Sequence, residues 1–321
     1  RPVVRAAVLL ALLAYSSVGL GLSIDIGIPW RIVFPVWHWQ LHSVLFEVAW
    51  CIMLYLGMLA LELSPALLEK LGWERALGVV HKGTIVFVIA GISLSTLHQS
   101  SLGTLFLATP YRLHPLWYTD LLPVLFFVSS MAVGCLTISL VTLLAYWLYE
   151  ATPPMDALAG LGRIAAWLLG AYLVLRFAEI GLAGEAGLLL RADADTLNFW
   201  AETLLSAGIP LALLTRARLR KSPVALGLIA ACATLGFTLN RVDVAGLATL
   251  SLTRTFYWPA WTEWAITSGV LSGAALIFLL AVDRLDLLPG LGEARRQRGG
   301  DRVELDQADR SSLFFAGQRH G

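Results

Sequence analysis

What constrains this chain most is a repeated pattern, one apolar run after another, each about as long as a helix that crosses a lipid bilayer. Such a helix needs about 20 residues to span a hydrocarbon core roughly 30 Å thick. Scanning for runs of that length predicts about eight spans. The first four lie near Val4–Ile24, Trp39–Leu63, Val79–Leu97 and Leu121–Leu148. The second four lie near Ile164–Leu182, Phe199–Leu214, Val224–Leu247 and Pro259–Val282. Backbone groups in hydrocarbon must be satisfied within the protein, so only helices and closed barrels span a membrane. Barrel strands alternate outward apolar with inward polar residues and do not give long unbroken apolar runs. Composition agrees, with 58% of the 321 residues hydrophobic and 14% charged, where a soluble domain carries about 25% charge. The expected fold class is an all-α integral membrane protein surrounded by the lipid bilayer. Disorder, a disulfide-stapled secreted module and a nucleic-acid partner are excluded on the same grounds.

Alternate loops differ in basic charge. One set carries Arg1 and Arg5, then Lys70, Arg75 and Lys82, then Arg163. It continues with Arg216, Arg218, Arg220 and Lys221, and ends with Arg284 and the Arg295–Arg298 cluster. The other set holds only Arg31, Arg112, Arg191 and Arg254. Basic loops stay in the cytoplasm, so both ends of the chain are expected there, with the protein in the cytoplasmic (inner) membrane. After Pro289 the composition turns to Arg, Asp, Glu, Gln and Gly. This divides the chain into a membrane domain over 1–289 and a disordered cytoplasmic tail over 290–321. The basic start before an apolar run is read as a true span rather than a signal peptide, because the run is long and lacks a small-residue cleavage site.

Ionisable residues inside spans cost insertion free energy, on the order of 2.5–3.5 kcal/mol each at the centre of a helix. Glu47 falls in the second span, Arg176 and Glu179 in the fifth, and Asn240, Arg241 and Asp243 in the seventh. Asp25, His98, Gln99 and Glu263 fall at span ends. With the basic loops inside, these groups converge on the non-cytoplasmic half of the membrane. Arg176 and Glu179 are three apart on one helix and are expected to share a face, as an ion pair. Glu47 has no counter-charge within a turn of its own span. A desolvated carboxyl of that kind is a candidate for a proton relay.

The histidines raise the question of haem. His38 and His42 stand at i, i+4 where the second span begins, and His98 and His114 flank an outer loop. His42 and His98 are the pair that a b-type haem would require across helices. The reading preferred here makes His98 and Gln99 hydrogen-bonding partners for a polar ligand head group. Cys51, Cys135 and Cys232 each sit in an apolar run, none as CxxC, so no iron–sulfur cluster and no other metal site is expected. The segment Phe256–Trp264 reads as interfacial aromatic belt, and Ser17, Gly19, Gly21 and Ser23 as small-residue helix packing.

Three stretches carry a resemblance: LSIDIGIPW, HSVLFEVAWCIMLYLGMLALELSPALLEKLGW and STLHQSSLGTLFLATPYRLHPLWYTDLLP. With LRFAEIG and FYWPAWTEWAITSG they resemble the NrfD/polysulfide reductase C family, and within it the HybB-type membrane subunits of NiFe hydrogenases. The resemblance covers nearly all of the chain up to Pro289. It implies a pair of four-helix bundles with peripheral helices, and two further spans ahead of the position matching Arg1. It implies a membrane-anchoring, quinone-reactive subunit of a respiratory oxidoreductase, active only as part of a larger complex, with no haem and no iron–sulfur cluster of its own. The implied partners are a ferredoxin-like iron–sulfur protein on the periplasmic side and the catalytic subunits of a hydrogenase or another oxidoreductase. The implied cofactor is menaquinone or ubiquinone. Carried over residue by residue, His98, Gln99, Tyr15 and Asp25 belong to quinone binding. Glu47 and Glu179 belong to proton transfer, and Arg5 to a possible proton entrance.

Quinone reduction consumes two electrons and two protons, so donors such as His98 and Tyr15 are needed at the carbonyls and a relay of carboxyls and water behind them. A polysulfide-reductase-type or sulfite-reductase-associated subunit would show the same pattern. A secondary transporter is the reading from another class. Transporters commonly show inverted repeats with broken helices at mid-membrane, and this chain shows no repeat.

Overall fold

The structure is a computed structural model that describes residues 3–108, 113–247, 260–285, 287–288 and 290. The expected tail over 290–321 lies, apart from Gly290, outside the described residues, as does most of the aromatic segment before Trp261. Among the described residues there is no strand, and eight helices are long and apolar enough to cross a membrane. We label them α1 (Val4–Asp25), α2 (Val44–Leu71), α3 (Glu74–Leu107), α4 (Leu122–Leu148), α5 (Met155–Leu182), α6 (Ala194–Leu214), α7 (Pro223–Gly246) and α8 (Trp261–Arg284). The protein is therefore an all-α, multi-pass integral membrane protein.

Two helices run further than their apolar stretches predict. α2 passes through Pro65 instead of stopping there. In a continuous helix Pro65 leaves the carbonyl of Leu61 without its usual donor. The hydroxyl of Ser64 donates to that carbonyl at 2.7 Å, which removes the reason to break. α2 then ends at Gly72, whose φ of +69° closes the turn into α3. α3 continues to Leu107, so His98 and Gln99 stand inside a helix and not at its end. Its polar HQSS segment depresses hydropathy without disturbing the backbone.

The helices form two groups. α4, α5, α6 and α7 make a tight four-helix bundle whose core includes Leu136, Leu158, Leu169, Leu214 and Leu226, all fully buried. α8, α1, α2 and α3 pack in sequence as an open arc that joins the bundle through α3 against α4. The arc exposes large apolar side chains along its length, among them Val18, Leu45, Val79 and Ile85, as a lipid-facing surface requires.

Two wide turns interrupt otherwise regular helices, at Leu204–Gly208 in α6 and Asp243–Leu247 at the end of α7. Turns of this kind gather at functional sites. The α6 turn precedes Pro210 and lets α7 approach at backbone distance. A β-carbon on Gly236 would lie 2.2 Å from the backbone nitrogen of Ser206, so only glycine fits at that crossing.

Candidate functional site

One end of the bundle, the basic end, carries Arg5, Lys70, Arg75 and Lys221. The site lies toward the opposite end, in two connected parts. The first is a charged cluster inside the four-helix bundle. Its centre is Glu202 on α6, with no exposed surface at all. Arg176 of α5 donates to Glu202 Oε1 at 2.7 Å, and its other nitrogen reaches the hydroxyl of Tyr172. Trp117 Nε1 donates to Glu202 Oε2 at 3.0 Å, and Asn240 Nδ2 lies 3.0 Å from both carboxylate oxygens. Arg241 continues the network, donating to Asn240 Oδ1 at 3.1 Å and to Ser129 Oγ at 2.7 Å, with its guanidinium 3.7 Å above the Phe126 ring. Arg176 lies 4.5 Å over Phe199. Asp243 is also without exposure, and its carboxylate oxygens have no hydrogen-bond partner among the described residues. Arg176 and Glu202 set opposite charges face to face, which is how ionisable groups persist in a dry interior.

The second part faces the arc. Gln99 of α3 donates to the hydroxyl of Tyr15 on α1 at 3.2 Å and accepts from Ser130 of α4 at 2.7 Å. The Tyr15 ring stands edge-on to Tyr55 at 4.8 Å and to His98 at 5.5 Å. His98 is buried, and its Nδ1 has no hydrogen-bond partner among the described residues. A buried nitrogen left unpaired costs about 1–3 kcal/mol, so this atom calls for a water or a ligand group beside it. Arg241 links the two parts. It lines a cleft of about 590 Å³ that touches Gln99 and Ser130, and also a cavity of about 20 Å³ beside Arg176 and Glu179, room for one water.

The residues singled out by sequence separate accordingly. Tyr15, His98 and Gln99 come together, and Arg241 joins them to the charged cluster. Asp25 ends α1 on the exposed surface. Arg5 lies at the basic end in a two-bond ion pair with Glu69, at 2.8 and 2.9 Å, well away from the others. The expected Arg176–Glu179 pair is corrected, since Arg176 turns into the bundle and pairs with Glu202 across to α6. Glu179, half-buried, lines the small cavity. The expectation that Glu47 is buried without a partner is corrected as well. It sits in the first turn of α2, exposed, where the helix dipole favours a carboxylate, and Ser101 of α3 donates to it at 2.8 Å. Outside the spans, burial and then the neighbouring Glu179 carboxylate push the Glu185 carboxyl above its ordinary range. That places Glu179 close to the loop at this end.

Glu202 and Glu62 are the functional candidates that sequence reading passed over. Both were visible as carboxylates inside or at the edge of an apolar run. Glu62 stands one residue inside the expected end of the second span at Leu63.

Fold and site define an integral membrane protein with a polar, partly unsatisfied site toward one end of its bundle. No family model matches the chain. It is 32% identical, over 96% of its own length and 78% of the relative's, to a protein of Escherichia coli K12 named "Probable Ni/Fe-hydrogenase 2 b-type cytochrome subunit". It is 29% identical, over 92% of its length and 77% of the relative's, to a protein of Nitratidesulfovibrio vulgaris Hildenborough named "Menaquinone reductase, integral membrane subunit". The chain belongs to the NrfD/HybB-type family of membrane subunits.

Proposed function

We propose that this protein is the quinone-reactive membrane subunit of a respiratory oxidoreductase, of hydrogenase type, with its basic end in the cytoplasm of an inner membrane. Electrons then enter from a ferredoxin-like iron–sulfur partner on the periplasmic side, close to the level of His98. The observation that carries this reading is the unpaired Nδ1 of buried His98 beside the Tyr15–Gln99–Ser130 chain. The name of the menaquinone reductase relative supports it.

A bound quinone supplies two carbonyl oxygens that become strongly basic as they take up electrons. His98 and Tyr15 present a ring nitrogen and a hydroxyl on adjoining faces, able to hold or hand over a proton at that point. Gln99 fixes the direction of the Tyr15 hydroxyl, and Ser130 fixes Gln99. The charged cluster keeps α5, α6 and α7 in register and sets the positive Arg241 at the edge of the site, where it favours negative charge developing on an oxygen. Glu47 and Glu179, both at this end, are the expected carboxyls for proton exchange.

The name of the hydrogenase relative includes a b-type cytochrome, which bears on the expectation of no haem. His98 is the single buried histidine among the described residues; His38, His42 and His81 are exposed, and the half-buried His114 has its two ring nitrogens facing Asp195 at 4.0 Å and the backbone N–H of Leu116 at 3.3 Å. A bis-histidine haem needs two ligands facing each other in the interior, and the described residues offer one. This geometry supports the haem-free reading. The test is to purify the complex with its partner subunits and assay menaquinone reduction alongside dye-linked donor oxidation. His98→Ala is expected to lower the first by at least tenfold and leave the second intact. Unchanged quinone turnover would make His98 a packing residue and move the site elsewhere.

A further inference from the structure

A further polar feature lies on α2, where Glu62 has been given no role so far. Tyr55, Glu62 and Glu69 recur every seven residues, so they share one face of the helix, drifting by about 20° per repeat. α1 runs antiparallel along that face. Tyr15 meets Tyr55 at one level and Arg5 meets Glu69 at the other. Between these contacts α1 offers Ala7, Ala11 and Ala14. Small residues at such spacing ordinarily bring helices together, but here they border the cleft of about 590 Å³ instead of closing it.

Glu62 lines the cleft and has no hydrogen-bond or ion-pair partner among the described residues. It stands about 14 Å along the helix from the basic end of α2, at 1.5 Å per residue. Its carboxylate rests against the buried Gly91 of α3, where an added β-carbon would come within 2.9 Å of Oε1. The opposite end of the cleft is formed by Gln99, Ser130 and Arg241, which belong to the ligand site. A mid-membrane carboxyl without a counter-charge is costly, and such groups mark proton pathways.

We propose that the cleft is a water-filled proton path and that Glu62 is its carrier, taking protons from the basic end beside the Arg5–Glu69 pair and passing them toward Gln99 and Tyr15. The step is a plain proton transfer. An O–H bond of a cleft water or hydronium breaks, an O–H bond forms on the Glu62 carboxylate, and the reverse occurs on the far side, with no electron moved. Gly91 is a positioning residue that leaves room for the carboxylate. The proposal rests on the quinone reading for the fate of the proton, but not for the existence of the path.

Three measurements test it on the whole complex in membranes. Dicyclohexylcarbodiimide, which attacks protonated carboxyls in apolar surroundings, should modify Glu62, as read by mass spectrometry. Ala11→Cys, in a chain whose native cysteines are replaced by serine, should react with a membrane-impermeant thiosulfonate from the basic side. Glu62→Gln should lower proton uptake from that side at least tenfold during quinone turnover. Glu62→Asp should restore part of it, and Gly91→Ala, which keeps the carboxyl but displaces it, should give an intermediate loss. Dye-linked oxidation should stay constant throughout.

An unmodified Glu62 with an unreactive Ala11→Cys overturns the path, as does full proton uptake in Glu62→Gln. If labelling occurs as expected but the wild-type complex reduces no quinone, the path stands and the quinone reading fails. If quinone is reduced and labelling fails, the reverse holds.

Discussion

Replacing Glu202 by Gln tests whether the charged cluster holds the bundle together. The substitution keeps shape and volume but removes the negative charge that faces Arg176 at 2.7 Å in a position without solvent contact. It also turns an acceptor into an amide whose NH2 must face the Asn240 amide together with either the Arg176 guanidinium or Trp117 Nε1–H, all of them donors. Breaking a buried ion pair by removing one partner costs about 3–5 kcal/mol. A soluble domain of 150–250 residues loses roughly 2–4 °C in Tm per kcal/mol, so a fall of about 6–20 °C is expected in mild detergent. Glu69→Gln is the control. That pair is 44% and 39% exposed, and exposed pairs contribute about 0–1 kcal/mol. The double variant Arg176→Met with Glu202→Leu should lose less than the sum of its parts, because neither charge is stranded. It will not return to wild type, since Trp117 and Asn240 still lose their acceptor. Similar Tm losses for Glu202→Gln and Glu69→Gln, or strict additivity in the double variant, would refute the reasoning.

Gly236→Ala places a β-carbon against the Ser206 backbone, and overpacking of this kind costs about 1–3 kcal/mol; a measurable drop in Tm is expected, and its absence would mean that α7 slides freely past α6. Glu47→Gln is expected to slow quinone turnover while sparing dye-linked oxidation in the same preparation; equal losses would point to damaged assembly, and unchanged turnover would leave the carboxyl as a helix-start residue held by Ser101. Purified protein should show no stoichiometric Soret band, and a b-type spectrum abolished by His98→Ala would overturn the haem-free reading. Asp193 caps α6 by accepting from Thr196 N at 2.8 Å, and its side-chain and backbone bonds with Thr196 hold the carboxyl below its ordinary value of 3.8. Its contribution is therefore complete above that value and lost as pH falls through the lower folded-state value; amide exchange in the first turn of α6 should speed up at low pH, and Asp193→Asn should remove that dependence.

How much of this was legible in the sequence follows from what hydropathy measures. Eight spans were readable because lipid admits little except long apolar helices, and the runs at α1 and α4 carry no polar residue strong enough to blur their ends. The ends of α2 and α3 were not readable. Pro65 looks like a stop unless one knows that Ser64 satisfies the carbonyl it leaves free. The HQSS segment looks like a loop unless one knows that Glu47, Tyr15 and Ser130 pack against that part of α3. These boundary errors had a functional cost. With α2 cut at Leu63, Glu62 falls one residue from the expected end of the span, though it stands well inside the helix. The i, i+3 rule paired Arg176 with Glu179 because it knows only one helix, whereas the partner comes from α6.

The division between bundle and arc explains why the site is split as it is. In α4–α7 the Arg176–Glu202 pair, Asn240 and Arg241 are tied to one another while the buried Asp243 carboxylate is left without a hydrogen-bond partner among the described residues, and closely crossing backbones at Gly236 hold the arrangement rigid. That region fixes charge but leaves little space, as in the small cavity beside Arg176. On the arc side the packing is looser, the lining groups are hydroxyls, an amide and one free carboxyl, and the cleft is about thirty times larger (590 against 20 Å³). A ligand that must enter from lipid and exchange protons needs the second environment, while an oxygen gaining charge needs a fixed dipole or cation from the first. Arg241 is where both are available at once, reaching Ser129 and Asn240 on one side and lining the cleft on the other. On the proposed function, chemistry at Tyr15 and His98 draws on a rigid electrostatic wall through Arg241, and Arg241→Lys, which keeps the charge but not the fork of donors, should cost more turnover than stability.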